Sequence, residues 1–198
     1  MPNGIYIFGG SQLSKEPFLN GPIISKFLEN GSNVWTNGPN FPHELYVHIE
    51  RYYTSFEISA GHRISNDEFI LIMNRYVFKY NINRKSWSYF FKLQHCRRLA
   101  CSFVCNNLLF IDGGYEISSG NILDSTEIVH LKLGHYWYKK LNIPRVDFKI
   151  GIFNVENGLQ IVAYGGKYET SSSSQFIEIW HWKKMQWKFI TLPRKLIS

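Results

Sequence analysis

The sequence predicts an all-β fold of about four repeated units, each a four-stranded antiparallel sheet. Four tryptophans, Trp35, Trp87, Trp137 and Trp187, follow one another at intervals of 52, 50 and 50 residues. Aromatic residues make up 17% of the chain, and no long segment has the apolar period of an amphipathic helix. Apolar strands that end in a pair of glycines recur upstream of three of these tryptophans.

The glycine pairs mark the end of one strand in each repeat. They are Gly9-Gly10, Gly113-Gly114 and Gly165-Gly166, whereas Asn74 ends the corresponding apolar strand of the second repeat. Residues without a Cβ allow the chain to leave a crowded strand with backbone angles that other residues avoid. We therefore expect the glycine pairs and the four tryptophans to be structural, with the tryptophans at equivalent positions, packed between neighbouring sheets.

A polar loop and a second strand follow each of these turns. The second strands are predicted at 76–81, 125–131 and 176–182, and the tryptophan then opens the outer strand of each sheet. Together these features predict a single domain of four repeats. Their approximate bounds are 1–46, 47–98, 99–145 and 146–198.

This order of features resembles the kelch repeat. An apolar strand, Gly-Gly, a variable loop, Thr126-Glu127-Ile128, Trp137 and Pro144-Arg145 follow in the order of that family's pattern. The second repeat lacks the glycine pair, and the first repeat begins at its second strand. The resemblance implies a kelch-type β-propeller, here an incomplete or open one, because such propellers usually close with six or seven sheets. It also implies a scaffold or adaptor that binds other proteins.

Composition excludes several functions. The longest apolar runs are far shorter than a membrane-spanning segment, and residues 1–10 show no targeting signal, so we expect no membrane association and favour the cytoplasm. The three cysteines, Cys96, Cys101 and Cys105, are odd in number and clustered, which indicates free thiols, with a reactive or metal-bound thiol as the alternative. No hydrolase, zinc or phosphate-loop motif is complete, so we expect no catalytic residue, metal or cofactor.

The formal net charge of +7 suits an acidic partner. In a propeller, the loops at one end of the sheets carry the variable chemistry. The resemblance implies that a tyrosine after the glycine pair and an arginine after the proline line a pocket for an acidic peptide. The residues that fit these positions, or lie near them, are Tyr115, Tyr168, Arg145, Arg97 and Arg98.

These features favour a protein-binding module whose partner carries an acidic peptide segment. Two alternatives stay open. Kelch-type propellers include oxidases and sugar-acid epimerases, and the histidines and tyrosines of this chain could serve such an enzyme. Its basic and aromatic residues could also bind nucleic acid or an anionic surface, but the aromatic residues follow the strand repeat, which makes nucleic acid the weaker alternative.

Overall fold

In the computed structural model, the described residues are 4–8, 25–29, 33–38, 41, 58–156, 158–168 and 176–190. They form β-strands, turns and one short 3-10 helix, Trp182–Lys184. The chain divides into two compact units, Met1–Leu93 and Gln94–Ser198. Within the described residues, no helix is long and apolar enough to cross a membrane.

The first unit contains two antiparallel sheets. Sheet 1 has three strands in the described residues, β1 (Gly4–Phe8), β2 (Ser25–Glu29) and β3 (Thr36–Asn37). Sheet 2 is a four-stranded meander of β4 (Ile58–Arg63), β5 (Glu68–Met73), β6 (Tyr76–Asn81) and β7 (Ser86–Lys92). Its core includes Phe78 and Trp87, which pack against Phe41.

The second unit contains two complete four-stranded sheets. Sheet 3 consists of β9 (Cys101–Cys105), β10 (Leu108–Asp112), β12 (Ser125–His130) and β13 (Tyr136–Lys140). Sheet 4 consists of β14 (Lys149–Val155), β15 (Gly158–Tyr164), β16 (Ile177–His181) and β17 (Gln186–Ile190). Two short strands, β8 (Arg97–Arg98) and β11 (Tyr115–Glu116), pair with each other beside them. The predicted all-β fold of repeated antiparallel sheets is confirmed.

Two of the predicted glycine pairs occupy the turns expected for them. Gly114 has a φ of +93°, and a Cβ there would lie 2.7 Å from the carbonyl oxygen of Arg98. Gly166 has a φ of +82°, and its Cβ would lie 2.6 Å from the carbonyl oxygen of Val146. Both positions therefore need left-handed backbone and close approach at once, which only glycine allows without strain. Gly9 and Gly10 lie outside the described residues.

The second repeat forms the corresponding turn without a glycine pair. Strands β5 and β6 are joined by the two residues between Met73 and Tyr76, which face each other in the ladder. Asn74, with a φ of +53°, supplies the left-handed residue that this tight hairpin needs. A short turn replaces the longer loops that follow the glycine pairs of sheets 3 and 4, so no glycine pair is required.

Trp87, Trp137 and Trp187 all lie in the outer strand of their sheets, as predicted, but the positions of Trp137 and Trp187 within that strand are not equivalent. Glu127 pairs with Ile111, two residues before Gly113-Gly114. Glu178 pairs with Ala163, two residues before Gly165-Gly166, so the two glutamates occupy equivalent positions in their sheets. On the outer strand of sheet 3, Glu127 pairs with Tyr138, which directly follows Trp137. On the outer strand of sheet 4, Glu178 pairs with Phe189, which comes two residues after Trp187. Because side chains alternate along a strand, Trp137 and Trp187 project from opposite faces of their sheets.

This offset still leaves two tryptophans between sheets 3 and 4. Trp187 belongs to the hydrophobic core shared by these sheets, and Trp137 packs against that core. The indole Nε1 of Trp187 donates to Thr126 Oγ1 of sheet 3 at 3.0 Å. Trp87 is buried as expected, whereas Trp35 directly precedes β3 and is only partly buried, with 41% of its surface exposed.

Candidate functional site

The connections predicted to carry function meet at one end of sheets 3 and 4. The amide of Gly114 donates to the carbonyl of Arg145 at 2.9 Å, so the loop after β10 contacts the connection between the two sheets. In the next repeat, Val146 forms a β-bridge with Lys167. The loops after the glycine pairs and the inter-sheet connections therefore share one rim, because both join strand ends on the same side of an antiparallel meander.

Arg145 does not lie on the surface of this rim. Its side chain is 0% exposed, and Nη2 lies 2.5 Å from Oε1 of the equally buried Glu178. Nη1 donates to the carbonyl of Phe176 at 3.2 Å. Desolvation by burial lowers the pKa of Arg145, while the charge of Glu178 opposes this effect.

Arg97 repeats the same arrangement one sheet earlier. Its side chain is 1% exposed, and Nη2 lies 2.6 Å from Glu127 Oε1. Nη1 donates to the carbonyls of Gly113 at 2.8 Å and Ser125 at 2.9 Å. Each arginine thus links the connection that carries it to a neighbouring strand, Arg97 to β12 and Arg145 to β16.

These contacts correct the predicted roles of Arg97 and Arg145 as peptide-contacting residues. A guanidinium that is buried and already paired with a carboxylate cannot form a bidentate contact with a ligand unless that pair breaks. Such breakage leaves an uncompensated buried charge. The partner glutamates were missed by the sequence reasoning, although a glutamate within an otherwise apolar strand segment is a signal of a buried ion pair.

The structure brings Arg98 and Tyr115 together at this rim. They are paired residues in the short ladder of β8 and β11, and Arg98 is exposed while Tyr115 is half-buried. Tyr168 is not the counterpart of Tyr115 in the next repeat. The bridge of Val146 with Lys167 places exposed Lys167 there, one residue earlier.

Two further rim residues were not predicted. Leu99 and Asp147 both have left-handed backbone, with φ of 53° and 51°, and both are exposed. The amide of Asp147 donates to the carbonyl of Leu99 at 3.1 Å, which joins the two connections directly. We refer to Arg98, Leu99, Tyr115, Asp147 and Lys167 together as the rim cluster.

A hydrogen-bonded group of side chains lies beside the rim cluster. His95 Nδ1 is 2.8 Å from Glu116 Oε1, and His95 Nε2 is 3.3 Å from the hydroxyl of Tyr138. Ser119 donates to the other oxygen of Glu116 at 2.9 Å. The hydrogen bond from His95 is the largest cause that lowers the pKa of Glu116. These contacts tie the loop after β10 to the connection before β8.

The described residues contain no group of three or more His, Cys, Asp or Glu side chains that could hold a metal ion. Cys96, Cys101 and Cys105 are free thiols, as the sequence indicated. Burial raises the pKa of Cys101 to about 11, with a further contribution from Asp112. A thiol with such a pKa stays protonated at neutral pH, so it is a poor nucleophile and metal ligand.

No protein-family model matches the sequence, and no curated protein matches it. Among solved structures, the chain is similar to that of YjhT, a kelch-repeat β-propeller protein, with a TM-score of 0.65 and 11% sequence identity. The match covers 96% of this chain and 63% of YjhT. The chain therefore has the kelch-type β-propeller fold, and its sheets correspond to part of such a propeller.

Proposed function

We propose that the chain is a protein-interaction module whose rim cluster binds an acidic segment of another protein. The observation that carries this proposal is the pairing of exposed Arg98 with Tyr115 at a rim that also presents Lys167. An arginine fork can bind a carboxylate with two parallel hydrogen bonds, and tyrosine offers both an apolar ring and a hydroxyl. Arginine and tyrosine are also enriched where proteins bind one another.

Charge at the rim supports an acidic partner. Arg98 and Lys167 are exposed within the rim cluster, and exposed Lys149 begins the strand that follows it. Asp147 is the one acidic member of the cluster and is also exposed. Within the rim cluster, two cationic side chains outnumber the single carboxylate and lie with apolar Leu99, which suits a peptide that carries carboxylates beside other side chains.

Nucleic acid fits this rim less well. Binding to a phosphate backbone usually relies on a stripe of lysines and arginines. Here, exposed Leu99 and Asp147 separate the basic residues along the chain, and the net charge of +7 is spread over the sequence. We therefore propose protein binding rather than nucleic-acid binding or catalysis.

The experiment is a selection of peptides from a displayed random library on the full chain, followed by fluorescence polarisation with the selected peptides. Arg98→Glu is the test variant, and Lys132→Glu is the matched control. Both substitutions change the net charge equally, but exposed Lys132 lies in the hairpin between β12 and β13, at the opposite end of sheet 3. We expect acidic peptides to be selected. Arg98→Glu should weaken their binding by about 1 to 3 kcal/mol or more, the range for a charge-assisted contact, while Lys132→Glu leaves affinity nearly unchanged.

Three results would contradict the proposal. The first is a selection that yields no acidic consensus. The second is equal loss of affinity in the two variants, which would show a response to net charge alone. The third is binding of a random-sequence oligonucleotide that persists near physiological salt and is lost in Arg98→Glu, because the rim would then serve nucleic acid.

A further inference from the structure

Leu99 has a backbone conformation that leucine rarely adopts. Its φ of 53° lies in the left-handed region, where the Cβ of any residue other than glycine crowds the following carbonyl oxygen. A buried side chain could offset this strain with packing, but Leu99 is 58% exposed. The chain therefore places a large apolar residue in an unfavourable conformation without burying most of it.

The neighbouring repeat shows that the fold needs the turn but not the leucine. Leu99 lies two residues after buried Arg97, and Asp147 lies two residues after buried Arg145. Asp147 has the same left-handed backbone, with a φ of 51°. Aspartate is among the residues that tolerate this region best, because its short side chain can form local hydrogen bonds. A polar residue at 99 would thus serve the turn better than leucine does.

The position of Leu99 points to a ligand. It directly follows Arg98, which pairs with Tyr115, and its carbonyl accepts the amide of Asp147. An exposed apolar side chain beside an exposed guanidinium and a tyrosine is the arrangement of an interface anchor with a polar surround. Strain retained at an exposed residue of a binding rim is also typical of functional sites.

We infer that Leu99 is the apolar anchor of the rim cluster, so that the acidic partner carries an aliphatic or aromatic residue next to its carboxylates. This inference rests on the proposed function and specifies the class of partner. A purely acidic segment would contact Arg98 and Lys167 and leave Leu99 in water. A segment with an apolar residue would cover Leu99 and gain the hydrophobic contribution of that contact.

Two variants of Leu99 separate anchoring from turn geometry. Leu99→Asn removes the apolar side chain and supplies a residue that accepts left-handed backbone, whereas Leu99→Ala removes the side chain and keeps the strain. Both should weaken binding of the selected peptides by about tenfold or more, the equivalent of burying a large aliphatic side chain. Leu99→Asn alone should also raise the melting temperature by about 2 to 4 °C.

Leu133→Ala is the matched control, since Leu133 is another leucine, 64% exposed, in the hairpin at the opposite end of sheet 3. It should leave peptide affinity unchanged. The selected peptides should share an apolar residue beside their acidic residues.

The outcomes distinguish this inference from the proposed function. If Arg98→Glu weakens binding but both Leu99 variants bind as the wild type does, the anchor is refuted and the acidic-segment site stands. If Arg98→Glu has no effect, the proposed site itself is refuted. A consensus of acidic residues without an apolar position would likewise overturn the inference while it supports the site.

Discussion

Replacing Arg145 by alanine should destabilise the second unit rather than remove a surface contact. The guanidinium is 0% exposed and lies 2.5 Å from Glu178 Oε1. Alanine would leave the carboxylate of Glu178 buried without its cation. The other carboxylate oxygen would keep its hydrogen bond from the amide of Asn142, at 2.7 Å, but that bond cannot neutralise the charge.

The magnitude follows from the cost of an unpaired buried charge. Loss of one partner from a buried ion pair typically costs about 3 to 5 kcal/mol. A further small loss comes from Phe148, whose ring centroid lies 5.7 Å from the guanidinium carbon. Because a typical domain is stable by only about 5 to 15 kcal/mol, a loss of this size is about a fifth or more of the stability of this unit.

Urea unfolding followed by tryptophan fluorescence measures this loss, because Trp180 and Trp187 are buried in the same unit. Arg98→Ala is the control, since exposed Arg98 lies in the equivalent connection one repeat earlier, and it should change the free energy of unfolding by well under about 1 kcal/mol. Arg145→Met combined with Glu178→Gln should restore most of the stability, because no charge is then buried and the amide oxygen can still accept from Asn142.

The reasoning would be refuted by an Arg145→Ala protein that unfolds at the same urea concentration as Arg98→Ala. It would also be refuted if the double variant were less stable than Arg145→Ala alone, because the buried carboxylate would then not be the cause of the loss.

Two further predictions concern stability. Burial is the largest cause that raises the pKa of Asp112 from 3.8 to about 7, so its contribution to stability is full below about pH 4 and is lost as the pH rises through 7. The free energy of unfolding of Asp112→Asn should therefore equal that of the wild type near pH 4 and exceed it by about 2 to 4 kcal/mol at pH 8. Urea unfolding at both pH values measures this difference, and an equal difference at the two pH values would contradict the prediction. Gly114→Ala should cost about 2 kcal/mol or more, because it adds a clash with the carbonyl of Arg98 to left-handed strain. Gly120→Ala is the control, because Gly120 has a φ of +71° and nothing lies within 4 Å of the added Cβ. It should cost about 1 kcal/mol from backbone strain alone. Equal losses of stability in Gly114→Ala and Gly120→Ala would contradict a cost from the clash.

The fold could be predicted because local and global signals agree. Glycine pairs, strand composition and turn residues all indicate repeated antiparallel sheets, and each depends on local backbone geometry. The register of the outer strands could not be predicted. The even spacing of Trp137 and Trp187 conceals a shift of one residue relative to Glu127 and Glu178, and such a shift moves a side chain to the other face of the sheet.

The site was predicted only in part for a related reason. Arg97 and Arg98 are adjacent in the sequence, yet Arg97 is 2% exposed whereas Arg98 belongs to the exposed residues. Burial of Arg97 depends on Glu127, which lies thirty residues later and reaches it only in the folded unit. The repeat spacing identified the connection even though no proline directly precedes these arginines, but only the sheet register could show which of the two is exposed.

Hydrogen–deuterium exchange on the full chain with a selected acidic peptide tests the central claim most directly. Bound peptide should protect backbone amides of the connections around Arg98 and Asp147 and of the turn at Tyr115. Amides of the hairpin 131–135, at the opposite end of sheet 3, should exchange at the same rate with and without the peptide. Protection confined to that hairpin, or to the first unit, would contradict the assignment of binding to the rim cluster.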